Sequence, residues 1–80
     1  MVIHIETKYT LEIAKRFWLS QDYKQLEVPI YEIILRDQRS KKVLTERRVH
    51  RNEILTHVED MLPLHFSQIK SLIKQEFNLD

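Results

Sequence analysis

The apolar residues of this 80-residue chain fall into blocks of different period, and the periods predict its elements. Val2, Ile3 and Ile5 open a short apolar run that predicts a first strand over 2–6. Leu11, Ile13, Ala14, Phe17 and Trp18 then share one arc of a helical wheel, roughly 160° wide at 100° per residue. Glu12, Lys15 and Arg16 occupy the remainder. This predicts a helix capped by Thr10 and ending near Ser20, since Gln21, Asp22 and Lys24 would otherwise face the core.

Leu26 to Leu35 is almost continuously apolar and rich in β-branched and aromatic residues. Apolar on both faces, it predicts a central strand over 28–35, with Pro29 near its start because proline cannot donate to a ladder. Asp37-Gln38-Arg39-Ser40 reads as a polar turn whose Asp and Ser side chains bond local amides. Lys41 to His50 returns as a further strand with little apolar content, which predicts an edge position. Asn52 is a fitting N-cap for a third block in which Ile54, Leu55, Val58, Met61 and Leu62 form a helical stripe. Pro63 interrupts it, and Phe66, Ile69, Leu72, Ile73 and Phe77 form a second stripe. Two helices across a Leu62–His65 turn, or one helix kinked at the proline, both fit this pattern.

The expected fold class is therefore α+β: a single small domain over 1–80 in β-α-β-β-α-α order. The ten to twenty residues between the first two strands suit a right-handed parallel crossover. A three-stranded mixed sheet follows, with 28–35 central and helices packed on one face. The alternative order places 41–50 in the middle, as in ferredoxin-like sheets.

Composition narrows the function classes. The chain has no glycine, and phosphate-cradling loops, dinucleotide fingerprints and nucleophile elbows all require it. It also has no cysteine, which excludes disulfides and fits a reducing compartment. The start lacks a basic, then long apolar, leader, and no apolar run approaches the roughly 20 residues of a membrane span, so a cytoplasmic protein is expected. No serine or threonine has a base and orienter in recognisable spacing. An enzyme is the least supported class, and no cofactor is expected.

Charge changes the picture most. Arg36, Arg39, Lys41, Lys42, Arg47, Arg48 and Arg51 are opposed within their own segment only by Asp37 and Glu46, a local charge of +5. The remaining six basic and ten acidic residues carry −4, so a formal net charge of +1 conceals one strongly positive hairpin. Such an element suits a polyanion or an acidic partner, and it also suits an edge strand protected from pairing with other chains. Glu53, His57 and Asp60, at i, i+4 and i+7, share the polar face of the third block; that spacing fits a metal or general-base pair, and equally a solvated face, and no metal is assigned. His4 reads as a sheet-face histidine. The two C-terminal stripes lack the glycine of a helix-turn-helix connection and read as scaffold. Trp18, Leu19 and Tyr23 make a candidate interface, and an 80-residue core without disulfide or metal is expected to join a homodimer or larger complex.

The functional expectation is a small non-catalytic binding or regulatory module that contacts nucleic acid through the basic hairpin 36–51. The alternatives are a module docking an acidic protein surface and a homodimeric structural subunit.

Overall fold

The computed structural model of the chain describes residues 1–19 and 27–79. Among these residues four strands, β1 (Val2–Ile5), β2 (Tyr9–Leu19), β3 (Glu27–Asp37) and β4 (Val43–Val49), precede two helices, α1 (Ile54–Met61) and α2 (Phe66–Phe77). The strands form one sheet in the order β1-β2-β3-β4, and every neighbouring pair is antiparallel. The domain is an α+β meander with its helices on one face.

Several expectations are corrected. The sheet has four strands rather than three, it contains no parallel crossover among the described residues, and the segment after Thr10 is strand rather than helix. Thr10 is a buried strand residue paired with Arg36, not a cap. The segment obeys a period of two as well as the helical arc: Leu11 and Ile13 are buried while the alternate residues Glu12 and Ala14 are not. Pairing with the doubly apolar β3 over eleven residues satisfies both backbones in a way an isolated helix could not. The order with 41–50 in the middle is also excluded, because β4 is an edge. Asn52 does not cap α1; it lies inside a 3-10 turn, Arg51–Glu53, that leads into the helix. Pro63 sits in a turn between two separate helices.

Alternation along the strands gives the sheet a covered face and an open one. Ile3, Ile5, Leu11, Ile13, Tyr31, Ile33, Leu35 and Val49 are buried on the covered face. Ile54 and Val58 of α1, Leu62, and Ile69 and Ile73 of α2 close that core. Phe77 meets Tyr31 edge to face at 5.4 Å. The other face carries Val2, His4, Glu12, Ala14, Arg16, Ile30, Glu32, Ile34, Arg36, Glu46 and Arg48, and no helix of the described residues covers it. The whole body is only 18 Å deep along its shortest axis, as one sheet and one helical layer require.

Without glycine, left-handed backbone among the described residues falls to Glu6, Lys41 and Asn78, with φ of 52°, 65° and 53°. Asn78 ends α2, and the Leu79 amide turns back onto the Lys74 carbonyl at 2.9 Å. Lys41 closes the β3–β4 turn.

Candidate nucleic-acid interface

The meander brings two turns to the same end of the sheet. The Gln38 amide donates to the Lys8 carbonyl at 2.9 Å, so the β1–β2 turn at 6–8 lies against the β3–β4 turn at 38–42. The exposed side chains of Lys8, Arg39, Lys41 and Lys42 therefore share one rim, beside a hollow lined by Thr7, Lys8, Tyr9, Asp37 and Arg39. Among the described residues Lys8, Lys41 and Lys42 form no ion pair.

The local acids are absorbed by the turn itself. Asp37 Oδ1 accepts from the amides of Arg39 and Ser40, both at 2.9 Å. The Ser40 amide, opposed by desolvation and aided by the Arg39 amide, the Ser40 hydroxyl and the Arg39 charge, holds the Asp37 carboxyl below its ordinary value. Glu6 faces His65 Nε2 at 3.6 Å. Of the carboxylates nearest the rim, Asp37 shapes its turn and Glu6 pairs with His65, while the rim cations are exposed.

The seven expected cations do not lie on one surface. Arg36 lies on the open face, paired with Glu12 at 3.4 Å and donating to the Lys41 carbonyl at 3.2 Å. Arg47 points the other way, to Asp60 at 2.8 Å and His57 Nδ1 at 3.1 Å on α1. Arg48 returns to the open face beside Glu32 at 3.5 Å. Arg51 reaches across the helical layer to the Phe77 and Asn78 carbonyls at the end of α2. Arg39, Lys41 and Lys42 remain together at the rim.

The Glu53, His57 and Asp60 face is divided between structural tasks. Glu53 accepts from the His50 amide at 3.1 Å, and His57 and Asp60 receive Arg47. Among the described residues no cluster of ligating side chains has metal-site geometry. His4 is exposed, with Nδ1 3.4 Å from the Thr10 hydroxyl. The side chains of Trp18 and Leu19, and Tyr23 entirely, lie outside the described residues. No helix of the described residues is long and apolar enough to cross a membrane.

Two features escape a linear reading. Lys8 joins the rim from thirty residues upstream of Gln38, through sheet pairing that no local pattern displays. A β-bulge at Leu35/Arg36 shifts the register of β4, and Leu44 then lines an apolar cleft with Tyr9, Leu35, Met61, Leu62, Pro63, Leu64 and His65. Leu64 is 86% exposed there, leaving an apolar side chain close to the cationic rim. No family model, no curated protein and no solved structure matches this chain.

Proposed function

We propose that this chain is a small non-catalytic binding module whose basic β3–β4 hairpin contacts the phosphate backbone of nucleic acid. The observation that carries the reading is the convergence of Lys8, Arg39, Lys41 and Lys42 on one rim whose nearby acids are engaged elsewhere, Asp37 by turn amides and Glu6 by His65. A turn is a convex element, and its exposed cations can follow a backbone without base readout. Arg39 supplies a fork for bidentate phosphate contact and the lysines supply point charge.

Fluorescence anisotropy with a labelled DNA duplex and a labelled single-stranded RNA, across a salt series, tests this. With about four phosphates contacted, log affinity against log salt has a slope near −3 to −4, or roughly two decades between 50 and 200 mM. Absence of salt-dependent binding to either nucleic acid at low ionic strength overturns the proposal.

A second reading is supported by Leu44 and Leu64: an acidic protein surface could engage the rim by charge and the adjoining cleft by apolar contact. Its signature is saturable binding to one protein, indifference to generic DNA and RNA, and sensitivity to Leu64→Ser.

A further inference from the structure

Both outer strands of the sheet present unpaired backbone, but they differ in what they offer. β1 is four residues long, whereas β4 spans seven and carries Glu46, Arg47 and Arg48 in succession. Edge strands rich in charge ordinarily resist pairing. The order of charge on β4, however, resists most partners and suits one.

Consider β4 beside a second β4 about a two-fold axis normal to the sheet. Faces are preserved, so only residues of equal parity can stand opposite one another. Centring on Glu46 sets that carboxylate against its own copy. Centring on Arg48 does the same with two guanidinium groups. Centring on Arg47 sets Glu46 opposite the partner's Arg48, and Arg48 opposite the partner's Glu46, both on the open face. The two facing Arg47 side chains are already held by Asp60 at 2.8 Å, on the other face. Thr45 then stands opposite the partner's Val49 and extends the covered core. Glu46 is exposed and has no ion-pair partner among the described residues, while Arg48 would lie between Glu32 of its own chain and the partner's Glu46.

We infer that this protein forms a homodimer by antiparallel pairing of β4 with β4 in the register centred on Arg47, giving a continuous eight-stranded sheet held in register by two reciprocal Glu46–Arg48 pairs. The inference is independent of the nucleic-acid reading, because the rim residues lie outside the paired segment. In the dimer the two rims stand at opposite ends of the joined strands, about 40 Å apart at 3.4 Å per residue.

Charge-swapped chains test the register. Glu46→Arg presents only cations at both positions and Arg48→Glu only carboxylates, so each variant alone meets like charge opposite like. Each should dimerise roughly tenfold to a hundredfold more weakly than wild type in sedimentation velocity from low to high micromolar concentration. Mixed in equal amounts, the two variants should form a heterodimer, seen by native mass spectrometry, since every opposed pair is then attractive. Arg39→Ala/Lys41→Ala/Lys42→Ala should leave dimerisation unchanged. Should a swapped chain fail to fold, amide exchange on wild type reads the same contact, with protection in 45–49 rising with concentration. Wild type that stays monomeric, a dimer indifferent to both swaps, no heterodimer from folded variants, or protection independent of concentration overturns the inference.

Discussion

Two pairs of identical neighbours, Ile33–Ile34 and Arg47–Arg48, show how completely the two faces of this sheet differ. Ile33 is fully buried under the helices, while Ile34 stands between Glu12 and Glu46 on the open face. Arg47 docks on α1, and Arg48, one residue later, lies beside Glu32 on the opposite side. Residue type says little here about role; strand parity decides it. A charge count over residues 36–51 therefore overstates the cationic surface, because parity and turns send the cations in four directions.

The sharpest way to break the comparison is in the isoleucines. Ile33→Ala should cost about 2–5 kcal/mol in denaturant unfolding, from lost burial and a residual cavity, and Ile34→Ala about 1 kcal/mol or less. Equal costs would mean that the open face is covered in solution. Next in size, Arg39→Ala/Lys41→Ala/Lys42→Ala belongs to neither face. It should flatten the salt dependence of nucleic-acid binding by about 2 to 3 units while leaving the unfolding midpoint almost unchanged.

The arginine pair is subtler. Arg47→Ala should lower stability by about 0.5–1 kcal/mol, and Asp60→Ala in the same background should add little, because both changes remove one partly exposed pair. Additive losses would show that the two side chains do not meet. The smallest effect concerns pH. The folded state holds the Asp37 carboxyl below its ordinary value near 3.8, so the charged form adds stability above that value. That contribution is lost as pH falls through the lower folded value. The stability difference between wild type and Asp37→Asn should be full well above the ordinary carboxylate value and shrink as pH falls through the lower folded value. A difference that persists at low pH would assign the effect to packing.

Much of this was legible in the residues. The doubly apolar 28–35 segment, the edge character of 41–50 and both C-terminal stripes follow from periodicity, and Asp37 and Ser40 are turn residues for the hydrogen bonds they make. The second strand was not. Its alternation is disguised by Lys15, which falls on the covered-face parity between Ile13 and Phe17. There the paired β2 and β3 run past the outer strands: β1 pairs with 9–12 only, and β4 reaches β3 no further than Tyr31. Lys15 and Phe17 are both exposed there, with the ammonium 5.0 Å from the ring centroid. A strand that outgrows its core loses the pattern by which strands are known. The rim was half legible for a related reason: Lys8 joins it through pairing at long range.

The linear order of the meander has a consequence for synthesis. Each hairpin can close as soon as its second strand emerges, since every pairing joins sequence neighbours and loop closure is short. The residues that cover Leu11, Ile13 and Ile33 come last, between Ile54 and Phe77. Until they are made, a nascent chain carries a formed sheet with a bare apolar face, the kind of surface that draws chaperones or aggregates. Ribosome-stalled chains in which β4 but not α1 and α2 has cleared the exit tunnel should accordingly bind a hydrophobic dye more strongly than chains in which α2 has also cleared it.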